Sequence, residues 1–293
     1  MARIEHKVWK DLARAAEALD KAVHERRPRH SDAQIVLTFL WARRHHQTVE
    51  WACDPASWPL QARRRARPSP STMSRRLRTA SVQRLLDALG ADEPDAIRPL
   101  AYVIDGKPMV ISRHSTDRDA RHGRGAGGMD KGYKLHLVGD LRGKVHITRV
   151  TPLNTPEQEV ARRMIKSSGL EGGYVLADSV YDWDELHRQA AQSGMRLLVN
   201  RRPSRAGRGI RQRGVSEERK ACIASTETPF AVFVPSMLRE RRAVERIFAR
   251  LETRWRIGHP PFHVRTLRRV RQWVQAALIL DRFVELNNSH AAG

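Results

Sequence analysis

Cysteine is almost missing from this chain: Cys53 and Cys222 are the only two among 293 residues. Two thiols cannot build a disulfide framework or a cysteine-ligated zinc cluster, and they point to a reducing compartment. Long apolar runs are missing too. None reaches the roughly 18 residues of a membrane span, and Met1 to Leu12 is mixed in charge where a signal peptide would be apolar. A soluble cytoplasmic protein with no membrane partner is the expectation. Acid is scarce: 32 Asp and Glu face 54 Lys and Arg, a net charge of +22. Most of the excess is arginine, whose planar fork suits phosphate oxygens. So lopsided a balance favours a polyanionic partner, DNA above all. An arginine-rich surface of no special purpose would look the same and would not exclude DNA. Three catalytic signatures are absent as well. Gly123 to Gly128 is glycine-rich but leads to no Gly-Lys-Ser/Thr ending and precedes a strand, so it reads as a flexible basic loop. The thirteen histidines form no His-Glu-x-x-His helix, and no Gly-x-Ser-x-Gly supports a serine nucleophile.

What is present divides near residue 95. Residues 1–95 read as all-helical. Val8, Leu12, Ala15, Leu19 and Val23 recur at helical spacing, Ser31 to Gln34 can cap a second helix, and Trp51, Pro55, Trp58 and Pro59 mark a packed turn. After the basic run Arg63 to Arg67, Ser69 to Arg78 reads as a capped helix with Arg75 and Arg76 outward, followed by another from Ser81 to Leu89. A short helix with Ser, Thr and Arg near its start resembles a helix-turn-helix reading helix, and a basic solvated face would look alike. Gly90 to Pro99 reads as a linker. Residues 96–293 then alternate. Strands are expected at Ala101–Ile104, Tyr133–Val138, Val145–Val150, Tyr174–Ala177, Leu197–Val199 and Phe230–Val234, and helices at Pro156–Lys166, Asp182–Ala191, Arg239–Leu251 and Arg265–Leu286. Leu135 to Val150 reads as a hairpin, and Arg201 to Arg219 as an Arg/Gly-rich loop. The pattern predicts an α/β fold, a mixed sheet flanked by helices.

Within it, two aspartates follow apolar strands: Asp105 after Ala101-Tyr102-Val103-Ile104, and Asp178 after Tyr174-Val175-Leu176-Ala177. A carboxylate at the end of a buried strand is costly unless paired or holding a cation, and strand ends are where open α/β sheets place their sites. Asp182 is the rival for Asp178, though it reads better as a helix cap with Glu185 in a capping box. Glu245 stands at the edge of the stripe Val244, Ile247, Phe248 and Leu251, one turn after Arg241 and Arg242. An intrahelical ion pair and a metal ligand among phosphate clamps are both open readings of it.

Five motifs in order carry more than spacing does: Val103-Ile104-Asp105-Gly106, Gly132-Tyr133-Lys134-Leu135-His136, Thr151-Pro152-Leu153-Asn154-Thr155, Ala177-Asp178-Ser179-Val180-Tyr181-Asp182 and Arg241-Arg242-Ala243-Val244-Glu245-Arg246-Ile247-Phe248. Together they resemble the DDE transposases of bacterial insertion sequences, over roughly residues 95–285. The resemblance implies a ribonuclease-H-like catalytic domain behind a helical DNA-binding domain. It implies that Asp105, Asp178 and Glu245 are the catalytic triad, binding two Mg²⁺ or Mn²⁺ ions, and that Arg241 lies near terminal DNA phosphates. DNA contacts are expected from Arg75, Arg76, Lys134, Arg241, Arg242 and Arg246. The implied partners are the element's terminal inverted repeats and target DNA, met by a homodimer in the bacterial cytoplasm and nucleoid. Where related enzymes often carry a Tyr three residues before the Arg and a Lys seven after the Glu, this chain has Leu238 and Glu252; Arg250 or Arg254 is the expected substitute.

Overall fold

The computed structural model describes residues 2–23, 29–91, 98–125, 127–200, 215–227 and 232–292. The chain forms two compact units: residues 1–93 with 254–257 and 268–293, and residues 94–253 with 258–267. No helix among the described residues is long and apolar enough to cross a membrane.

The first unit is helical: α1 (Ala2–Val23), α2 (Asp32–Arg44), α3 (Val49–Cys53), α4 (Leu60–Arg63), α5 (Pro70–Arg76) and α6 (Ala80–Gly90). Ser31 caps α2 by accepting the Gln34 N–H, and Ser69 caps α5 by accepting that of Thr72, with Pro70 in the first turn where its missing N–H costs nothing. Trp41 and Trp58 stack at 4.6 Å, with Trp9 edge-on to Trp41 at 4.9 Å. The last helix contributes to the same unit: Gln272 donates to the Leu77 carbonyl and Gln275 to Asp87.

The second unit is a mixed α/β layer. Its strands are β1 (Ala101–Ile111), β2 (Arg121–Gly125), β3 (Gly128–Asp140), β4 (Val145–Pro152), β5 (Tyr174–Ala177) and β6 (Arg196–Val199). Its helices are α7 (Glu157–Ser167), α8 (Asp184–Gln192), α9 (Glu217–Glu227), α10 (Phe233–Glu240) and α11 (Ala243–Trp255), before the last helix α12 (Leu267–Ala292). β3 is the spine. β1 runs antiparallel along one edge of it, and β2 and then β4 along the other. β5 and β6 extend the sheet parallel to β1. Tyr133, Leu135 and Leu137 are wholly buried. Gly139 lets α11 close on the spine, since a Cβ there would lie 2.5 Å from the Ile247 side chain.

Several expectations shift. β1 runs on through Gly106 and Pro108 to Ile111. Val110 turns its N–H away from β3 to the Gly258 carbonyl (3.1 Å), so by the two-residue strand repeat the Pro108 nitrogen faces that same open edge, where no ladder donor is needed. Of the glycine-rich segment Gly123–Gly128 expected as a loop, residues 123–125 belong to β2, paired to β3, and Gly128 opens β3, while position 126 lies outside the described residues. Of the strand expected over Phe230–Val234, positions 230 and 231 lie outside the described residues, and Phe233 and Val234 open α10; Pro235 suits a first helical turn and would spoil a strand. The helix expected over Arg239–Leu251 breaks at Arg241–Arg242 into α10 and α11. Of the expected Arg/Gly-rich loop, positions 201–214 lie outside the described residues, as does most of the expected linker, while Glu217 to Arg219 belong to α9.

Candidate functional site

Strand register brings two of the expected acids together. Val103 of β1 pairs in parallel with Leu176 of β5. Two residues beyond that pair stand Asp105, still within β1, and Asp178, just past the end of β5, close enough for the Asp178 charge to act on Asp105. Each spends one oxygen on the adjoining backbone: Asp105 accepts the Gly106 N–H at 2.8 Å, and Asp178 accepts the Val180 N–H at 2.9 Å, capping the turn Ser179–Tyr181. Among the described residues no hydrogen bond engages the second oxygen of either. Burial raises the Asp105 carboxyl to about 6; the charges of Asp178 and Glu157 push the same way, against the Gly106 N–H and Arg241.

Glu157, on the first turn of α7, is a third acid at this place. It is ion-paired with buried Lys134, and its other oxygen accepts the Tyr181 hydroxyl at 3.1 Å. A Cβ on Gly106 would lie 3.2 Å from that second oxygen, so Glu157 packs against Gly106, and its charge acts on the neighbouring Asp105. Burial and the surrounding carboxylates drive the Tyr181 hydroxyl far above the usual range, so it stays a donor. Sequence reading missed Glu157, which stands in an ordinary amphipathic helix and gains its setting only from Lys134 and Tyr181.

Glu245 lies in the first turn of α11, more than half exposed, 3.4 Å from the Arg241 guanidinium. Arg241 therefore links the two sides, acting on Asp105 and pairing with Glu245. Among the described residues no three His, Cys, Asp or Glu side chains converge closely enough to hold a metal ion. The donor chemistry nonetheless fits a hard divalent cation. Asp105 and Asp178 offer oxygens only, each with one oxygen uncommitted, and Asp105 is desolvated beside like charge, a state that a cation would relieve.

Asp182 does not take the capping place expected of it. α8 begins at Asp184 with Trp183 before it, and Asp182 is buried under a two-pronged bond from Arg219 (2.7 and 2.8 Å) with His187 at 3.4 Å. A bidentate guanidinium outcompetes a backbone cap. Of the expected DNA contacts, Arg75, Arg242 and Arg246 are exposed and Arg241 is half-buried. Arg76 is spent on buried Asp32 (2.6 Å) and the His30 carbonyl, and Lys134 is buried on Glu157. Arg250 donates to the Gly143 carbonyl and Arg254 pairs with Asp281 and Glu285, so both hold structure.

A family model described as "Transposase DDE domain" matches residues 98–280, more than half of the chain. Comparison with curated proteins and with solved structures gives no significant match.

Proposed function

The chain belongs to the transposase DDE domain family, a family of nucleic-acid-processing enzymes, and from that premise we propose that it cuts DNA at the ends of an insertion sequence and joins those ends to target DNA. The observation that carries the reading is the proximity of Asp105 and Asp178, each two residues beyond the last β1–β5 pair, Val103–Leu176, inside the matched span. The strand order supports a ribonuclease-H-like core: three antiparallel strands, β4, β3 and β1, continued by the parallel β5 and β6.

In this reading Asp105, Asp178 and Glu245 would hold two Mg²⁺ or Mn²⁺ ions. Such ions, when bound, ease ionisation of the attacking oxygen and offset charge on the departing one. Water attacks the phosphodiester at the element's end. The bond from phosphorus to the 3′ oxygen breaks, that oxygen takes up a proton, and the phosphate stays on the flanking 5′ end. The freed 3′ hydroxyl then attacks a target phosphodiester in line, losing its proton while the target's own 3′ oxygen departs with one. Arg241 orients a terminal phosphate, and Arg242 and Arg246 extend that contact. The Lys134–Glu157–Tyr181 set keeps Glu157 beside Asp105 without adding an unbalanced charge. The helical unit, with Arg75 outward, recognises the inverted repeats, and two copies bring the two ends together.

A strand-transfer assay with a pre-cut element end tests this. Joined product in Mg²⁺ is expected. Hydrolysis without any joined product would make the protein a nuclease of related fold instead.

A further inference from the structure

Between β1 and β3 the chain makes a detour that the carboxylate site does not use. Residues 112–120 loop out, and β2 returns along β3. A cavity of about 490 Å³ opens there, with Arg118, Arg121, His122 and Lys131 in its lining. Arg118 and Arg121 are exposed, and neither has an ion pair among the described residues. Lys131 donates to the Ser115 carbonyl (2.6 Å), a neutral acceptor that leaves its charge uncompensated.

The lining sets three cations, Arg118, Arg121 and Lys131, against one acid, Asp117, and the neutral donors that hold Asp117 and Asp119 leave their charges in place. Asp117, which also lines the cavity, accepts the buried Tyr133 hydroxyl at 2.6 Å and the Thr266 N–H at 2.9 Å. Asp119 accepts the Leu267 N–H at 2.9 Å, and Asp130 faces Arg113 at 3.8 Å. These bonds, with Arg265 on Thr116 (3.2 Å), tie the loop to Tyr133 and to residues 265–267. The cations are thus presented on a pre-organised support, so binding an anion costs little ordering. Unpaired guanidinium forks suit phosphate oxygens more than they suit a single carboxylate point.

We propose that this cavity is a second docking point for duplex DNA, gripping backbone phosphates away from the cutting site. Its placement rests on the transposase reading: β1 carries the chain from Asp105 to Ile111, six residues at ~3.3 Å each, roughly 20 Å. On B-DNA, with ~3.4 Å per base pair, that is about six base pairs from the phosphodiester being cut.

The test measures binding of a labelled duplex by anisotropy across a salt series, without divalent cation so that nothing is cleaved. Arg118→Ala/Arg121→Ala should bind about tenfold or more weakly whatever the duplex sequence. Its slope of log affinity against log salt should be shallower by about 2, at ~0.9 for each phosphate no longer gripped. Arg118→Lys/Arg121→Lys should restore most of the slope, which a merely structural role for the guanidinium forks would not allow. A duplex ending short of the sixth base pair from the cut should erase the difference between wild type and the alanine variant. An alanine variant with wild-type slope and affinity overturns the proposal, as does equal competition by inorganic phosphate at matched phosphate concentration. Cleavage by the same preparations separates the two levels. A wild type that binds and cleaves beside an indistinguishable double variant sinks this docking point alone, whereas a wild type that does neither sinks the transposase reading.

Discussion

In the helical unit Arg43 is 3% exposed, yet its guanidinium donates to the carbonyls of Trp255 and Trp273 and lies 4.2 Å over the Trp273 ring. Asp32, 2% exposed, is met by Arg76. In the sheet unit Asp105 is half-buried, its neighbours include two further carboxylates, and its own carboxyl is driven up to about 6. Burial alone marks neither a site nor a scaffold. The distinction lies in whether the surroundings satisfy the group: Arg43 is met by two carbonyls and a ring face and Asp32 by an opposite charge, whereas Asp105 keeps one oxygen unbonded among the described residues, beside like charge. Where they do, the group holds the fold; where they do not, the unmet charge is available to a ligand.

That contrast can be broken by measurement, beginning where the effect is largest. Arg43→Ala should cost on the order of 3 kcal/mol in urea unfolding, because two buried carbonyls lose their donor; a cost under about 1 kcal/mol would show that Arg43 does not hold the helical unit. His136 comes next. It is 1% exposed, bonded to the Thr151 hydroxyl, and burial beside Lys134 and Arg149 pushes it down to about 3. The unfolded chain takes up this proton near pH 6.5 and the folded chain only near 3, so stability should fall as pH drops through that window, by on the order of a few kcal/mol. His136→Gln should flatten the acid side of the stability profile, and an unchanged profile would remove His136 as its cause.

Asp105 carries the opposite sign. Its raised folded value favours folding below about pH 4, and that contribution is lost as pH rises through about 6. In chelator at pH 8, Asp105→Asn should therefore be more stable than wild type by about 1–2 kcal/mol, with the two converging near pH 4. A destabilised variant at pH 8 would place Asp105 with the scaffold charges. Least of all should come Arg65→Ala, which breaks an exposed pair with Glu17 (3.6 Å); thermal melts should move by less than about 0.5 kcal/mol.

Much of this was legible in the sequence because an apolar run before an Asp occurs twice; the run before Asp178 is the whole of β5, whereas Asp105, expected past a strand end, stands within β1, which continues to Ile111. What stayed hidden was made by distant partners. Glu157 becomes part of the site through Lys134 and Tyr181, neither near it in sequence. β2 hid because Arg121 to Gly125 has no apolar alternation, and pairing to β3 rather than burial makes it a strand. The break between α10 and α11 carries no proline or glycine, so periodicity ran straight through Arg241 and Arg242. The last helix reads as continuing the α/β pattern, and only contacts such as Gln272 to Leu77 assign it to the helical unit.

The most direct test is cleavage of a duplex carrying the element's end, in Mg²⁺, by wild type, Asp105→Asn, Asp178→Asn and Glu245→Gln at matched DNA occupancy. Wild type should cut, and each variant should bind DNA as well as wild type while cutting at least about a thousandfold more slowly. Wild-type cutting by any of the three would contradict the assignment of that carboxylate, and by Asp105→Asn and Asp178→Asn together would contradict the account as a whole.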